Sequence, residues 1–137
     1  MIKRYGSSDE MLRNVINFAI RGMMENKKNN IVIYAANRCR QINIMHQLND
    51  LCNNVDLRFG HMQAKINRII DIDVKGNTTI FANGELYTQR IDIIVDHMQL
   101  RGRNIDFINI DFDIIDSVDW NYIRSIVREY NENVAIY

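Results

Sequence analysis

Apolar positions along this chain recur first at helical spacing and then in short β-branched runs. Met11, Leu12, Val15, Ile16, Ala19, Ile20 and Met23 repeat every three to four residues, which places them on one face of a helix. Ser7-Ser8-Asp9-Glu10 ahead of them reads as the helix start, with Ser7 and Glu10 spaced as a capping box. The methionines of this stripe are read as core filling. The polar cluster Glu25 to Asn30 ends the helix. Ile31-Val32-Ile33-Tyr34-Ala35-Ala36 follows, a run of strand length rich in β-branched residues. Apolar residues at consecutive positions predict a strand covered on both faces, as in a parallel sheet.

Asn37 is suited to cap a second helix through about Asn53, with Ile42, Met45, Leu48, Leu51 and Cys52 facing inward. Val55 to Phe59 reads as a short strand and Met62 to Ile70 as a helix. Asn77 to Ala82, the Asn83-Gly84 turn signal and Glu85 to Gln89 form the pattern of a hairpin. Ile91 to Val95 is a further strand, Gln99 to Asn104 a polar loop, and Ile105 to Asp111 another strand. Asp116 or Ser117 is expected to cap a last helix through about Asn131, with Trp120, Ile123, Val127 and Tyr130 on one face. Val134 to Tyr137 is the final strand. Strands alternating with helices predict an α/β fold, a mainly parallel sheet flanked by helices, with the hairpin as an insertion or antiparallel edge.

The 137 residues have the size of a single domain, and no linker or repeat divides them. Seventeen basic residues balance 17 acidic ones, so nucleic acid could be held only by a local patch and not by a global field. Cys39 and Cys52 fall in one predicted helix, about 20 Å apart, too far for a disulfide. Reduced thiols point to the cytoplasm. The start of the sequence has no apolar signal segment, and no apolar run reaches membrane-spanning length, so no membrane association is expected. His46, His61 and His97 show no metal-ligand spacing.

Ligands of parallel α/β sheets bind at the carboxyl ends of strands. That rule singles out Lys3-Arg4-Tyr5-Gly6-Ser7-Ser8 before the first helix, and Phe107-Ile108-Asn109-Ile110-Asp111, a strand ending in an acid. Leu100-Arg101-Gly102-Arg103 lies between them. In their order these pieces resemble the N-terminal P-loop ATPase core of phage large terminase subunits, the motors that package DNA. There a basic stretch and Gly-Lys-Ser/Thr precede the first helix. A strand with a polar helix start follows, like Ile31 to Gln41, and later a strand near an Asn-Gly turn, like Thr79 to Gly84. Next come a Leu-Arg-Gly segment and a strand ending in Asp-Glu. The resemblance runs along nearly the whole chain. The absence of proline and the abundance of Asn and Ile fit the AT-rich genome of a phage or another virus.

The resemblance implies a relic nucleotide site at Arg4, Gly6, Ser7 and Ser8, with Asp111 as the relic metal ligand. Two departures point away from catalysis. The family's phosphate-binding Lys falls at Ser7, which cannot place a positive charge on the transferred phosphate. Its catalytic Glu falls at Phe112, and Asp113, one residue on, would share the face of Asp111 instead of replacing it. Independently of any family, Asp9 and Glu10 occupy the first helical turn and compensate the helix dipole that would otherwise attract phosphate. Gly6-Ser7-Ser8 is thus expected as a helix cap, and Asp111 equally as a plain strand-end acid.

The expectation is a degenerate, non-catalytic P-loop-like domain over residues 1–137 with no required cofactor. It would act by binding a protein, as a phage regulator or mimic of a DNA-packaging or host motor. Arg101, Arg103, Trp120 and Tyr122 are the expected interaction surface. Two alternatives stay open. One is a nucleotide-binding component of a viral packaging complex, using ATP and Mg²⁺ only when a partner completes the site. The other is a DNA-binding module working through Arg38, Arg40, Arg101 and Arg103, disfavoured by the neutral net charge.

Overall fold

The computed structural model describes residues 2–54, 58–59, 62–63, 77–83 and 87–137. Strand β1 (Lys3–Arg4) leads into helix α1 (Ser8–Met24), strand β2 (Asn29–Tyr34) and helix α2 (Arg38–Asn54). Two short strands, β3 (Arg58–Phe59) and β4 (Met62–Gln63), pair with each other. A hairpin of β5 (Asn77–Asn83) and β6 (Tyr87–Ile94) follows, then β7 (Phe107–Ile110), helices α3 (Trp120–Ile126) and α4 (Tyr130–Asn133), and β8 (Val134–Ile136). The main sheet has the order β1-β8-β7-β2-β6-β5. Its first five strands are mutually parallel, and β5 closes the far edge antiparallel to β6. Five parallel strands flanked by helices are compatible with a P-loop-like fold.

Sequence period explains the layering. In β2, Ile31 and Ile33 face α1 and α2, while Val32 and Tyr34 face the opposite layer, so every one of these positions is buried. On the first face Met11, Leu12, Val15, Ile16 and Ala19 of α1 meet Ile44, Met45 and Leu48 of α2 over the strands. On the second face Leu100, Ile105, Val118, Ile123 and Val127 cover the sheet. Truncating a fully buried residue such as Leu12 to Ala would cost about 2–5 kcal/mol.

Several expectations are refined. Ile91 to Val95 is not a separate strand but the continuation of β6, which runs from Tyr87 and serves both the hairpin and the parallel sheet. The helix expected from Met62 begins instead with the strand Met62–Gln63, and residues 64–70 lie outside the described residues, as do 55–57 and the turn at 84–86. Ile42 is exposed, and Gln41 takes the buried position beside it. The last helix starts later than expected. Asp119, not Asp116 or Ser117, is its cap, accepting from Tyr122 N at 3.2 Å. Ser117 instead donates its hydroxyl to Ile114 O. The helix also breaks at Val127, which bridges Ile105, and Glu129 follows in a left-handed conformation. Trp120, Ile123, Val127 and Tyr130 nevertheless pack on one layer, as their spacing implied.

Candidate functional site

The direction of chain travel creates a topological switch point between β2 and β7. β2 connects to α2 on one face, whereas the segment after β7 leads to α3 on the other face. Neighbouring strands whose connections diverge in this way open a cleft at their carboxyl ends, the usual ligand position in such sheets. The strand ends are in line there. Tyr5 N donates to Ile136 O, Tyr137 N to Ile110 O, and Asp111 N to Tyr34 O. Tyr5 and Asp111 are therefore level, separated by the width of β8, or about 10 Å at two inter-strand spacings. Arg4, Gly6, Ser7 and Ser8, which the resemblance singles out, thus lie with Asp111 at the same end of the sheet.

Asp111 stands at this switch point. It has no solvent exposure. Its Oδ2 accepts from Ala36 N at 3.1 Å and its Oδ1 from Asp113 N at 3.0 Å. Arg40, in the first turn of α2, donates Nη1 to both oxygens at 2.8 and 2.9 Å and pairs with Asp113 through Nη2. Hydrogen bonds to the acid and the charge of Asp111 hold the Arg40 guanidinium firmly protonated. Arg40 is placed there by Asn37, whose Oδ1 caps α2 by accepting from Arg40 N at 2.9 Å. Of the arginines considered for DNA contact, Arg40 is thus committed to an internal acid.

The start of α1 is likewise closed by its own side chains. Glu10 N donates to Ser7 Oγ at 3.2 Å, and Gly6 N donates to Glu10 Oε2 at 3.0 Å. The Glu10 carboxylate reaches past the usual capping-box partner to Gly6, where an incoming phosphate oxygen would otherwise accept. Ser8 Oγ donates to Gln47 Oε1 at 2.9 Å, which ties α1 to α2. Asp9 is held on Arg13 one turn along. Burial and the Glu10 charge raise the Tyr5 phenol above its ordinary value, and burial and Asp111 do the same for Tyr137. Arg4 lies over the ring of Phe112, an exposed residue, at 4.3 Å, so the strand-end cation covers one aromatic face.

The expected interaction residues separate into two kinds. Trp120 and Tyr122 are half-buried and their polar atoms are used internally, with Trp120 Nε1 donating to Ile115 O at 2.9 Å and Tyr122 OH to Leu100 O at 3.4 Å. Arg103 is paired with the buried Asp92. Arg101 is exposed beside Met98, which is 52% exposed at the surface of a 3₁₀ turn, His97–Leu100. His97 of that turn meets the Tyr122 ring edge-on at 5.2 Å. Met98 had no sequence signal; it lies in a turn capped by Asp96, where helical periodicity does not extend.

Asn109 is a further feature that sequence reasoning missed. It shares the α1 face of β7 with Phe107 and Asp111, is fully buried, and its amide has no hydrogen-bond partner among the described residues. Among those residues no group of three or more His, Cys, Asp or Glu could hold a metal, and no helix is long and apolar enough to cross a membrane. The sequence matches no protein-family model and no curated protein, and the fold matches no solved structure.

Proposed function

We propose that this chain is a non-catalytic, terminase-ATPase-like domain that acts in the cytoplasm by binding a protein, as a phage regulator or mimic of a DNA-packaging or host motor. The observation that carries the non-catalytic part is the saturation of Asp111. Its two oxygens receive one guanidinium group and two backbone N–H groups and have no exposure. A carboxylate in that state has neither the vacant lone pairs nor the access that a Mg²⁺ ligand needs. Glu10 at Gly6 N adds a negative charge where a triphosphate would lie. Both features argue against nucleotide chemistry at this end of the sheet and so support a binding role.

The surface proposed for the partner is the turn carrying Met98 and Arg101, with Tyr122 at its rim. It combines an exposed apolar side chain, a guanidinium and a half-buried ring, the residue types that anchor interfaces. The test is retention of a partner from cell extract by the immobilised chain, compared with a Met98→Ala/Arg101→Ala variant. Loss of an interface anchor typically weakens binding about 30-fold, at about 2 kcal/mol. Equal retention by both forms would place the partner elsewhere; hydrolysis of ATP by the wild-type chain alone would end the reading.

A further inference from the structure

The amino-terminal ends of the strands carry a second arrangement, on the face that α3 covers and independent of what the carboxyl edge does. Arg90 and Asp92, two residues apart on β6, share this face, and Asn30 of β2 is in register with Arg90. Arg90 Nε donates to both oxygens of Asp92 at 3.1 and 3.0 Å, and Arg103 donates Nη1 to the same carboxylate. One nearly buried acid therefore holds two guanidiniums. An open groove of about 460 Å³ lies over them, lined by Asn30, Arg90, Gly102, Arg103, Asn104 and Arg128.

Among the described residues the lining contains three guanidiniums and no carboxylate. Asp92 and Asp106 stand behind it. The hold on Arg128 is loose, with Asp106 Oδ1 at 3.6 Å, and Asp106 also accepts from Asn30 N at 2.8 Å. Among the described residues Arg90 donates to Asp92 through Nε and makes no bond through its Nη groups, and Arg103 donates through Nη1. Two like charges brought together by one acid repel each other, and a second anion on their open side offsets that repulsion. Asp92 also fixes both forks in place, so little rotamer freedom is lost when an oxyanion docks. Gly102 turns the loop through φ +69° with no atom within 4 Å of where a Cβ would stand, leaving the rim open to a ligand.

We propose that this groove binds a phosphate group through Arg90, Arg103 and Arg128. A tetrahedral oxyanion matches the paired N–H donors of a guanidinium. Free phosphate and the phosphodiesters of a nucleic acid share this chemistry, and the test separates them.

The intact chain is titrated with inorganic phosphate by calorimetry, and with a fluorescent single-stranded thymidine 20-mer by anisotropy. Arg90→Gln and Arg128→Gln are tested alongside. Both side chains are more than half exposed, so these variants are expected to keep the wild-type circular dichroism spectrum. Saturable binding of either probe, weakened about ten-fold or more in each variant, is the expected result, since each variant loses charge-assisted hydrogen bonds. Phosphate binding that the oligonucleotide does not compete with assigns the groove to a small anion. Oligonucleotide binding that tightens steeply at low salt assigns it to a nucleic-acid backbone. Absence of binding by both probes, or binding that neither variant weakens, overturns the proposal.

Discussion

Replacing Arg40 by Ala removes the only side-chain cation, among the described residues, on a carboxylate with no solvent exposure. Asp111 would keep Ala36 N and Asp113 N, at 3.1 and 3.0 Å, and lose both guanidinium bonds. Removing one partner of a fully buried pair costs about 3–5 kcal/mol. Arg40 is not fully buried. Its side chain is 46% exposed, so water can follow it into the gap, and the two backbone donors remain. The cost should therefore fall to about 2–3 kcal/mol. For a domain of this size that is a drop in Tm of about 6–15 °C. Arg40→Lys should recover only part of it, because an ammonium cannot span Asp111 and Asp113 with one planar fork. Urea denaturation followed by circular dichroism gives the free energies, and a cycle with Asp111→Asn gives the coupling, expected near 2 kcal/mol. If both single variants stay within about 0.5 kcal/mol of wild type, as changes at unengaged surface sites do, the pair is not structural and Asp111 becomes available for other chemistry.

Three further outcomes follow from packing and burial. Gly22→Ala normally gains about 1 kcal/mol in a helix. Here the new Cβ would collide with the buried Asn29 and Gln89 side chains, so thermal denaturation should show a loss of about 1–3 kcal/mol. Asn109→Leu, which keeps the same branched heavy-atom skeleton, should stabilise by about 1 kcal/mol because it removes an amide left unpaired among the described residues; destabilisation in urea titration would mean that the amide is satisfied in solution or that the larger methyls do not fit. The Tyr5, Tyr34 and Tyr137 phenols are all raised, chiefly by burial. The folded state then holds their protons more tightly than the unfolded chain, so stability is retained below the ordinary value of 10.0 and falls as pH rises beyond it. Tyr137→Phe should flatten that alkaline loss in pH-dependent melting curves.

Local signals carried α1, β2 and the Asn37 cap, because each depends on neighbours within one turn or one strand. The Ser7–Glu10 cap was legible for the same reason, though the reach of Glu10 to Gly6 was not. Arg40 and Asp111 were both singled out separately, one as a DNA contact and one as a relic ligand. Their pairing joins residues 71 positions apart and depends on β7 lying beside β2, which periodicity cannot give. The start of α3 illustrates a different limit. Asp116, Ser117 and Asp119 are all competent caps, and the choice falls to Asp119 as Val118 is drawn into the core. The Asp92 pairings were illegible because Arg90, on a strand, and Arg103, in a loop, converge only in the folded sheet.

In the proposed state the carboxyl edge of the sheet is closed by its own side chains. Calorimetric titration of the intact chain with ATP and Mg²⁺, set beside the Arg90→Gln/Arg128→Gln double variant, measures this directly. The expected result is no Mg²⁺-dependent heat in the double variant, with any ATP heat in the wild type traceable to the arginine groove and indifferent to Mg²⁺. Saturable, Mg²⁺-dependent binding that persists in the double variant and disappears in Asp111→Asn would contradict it.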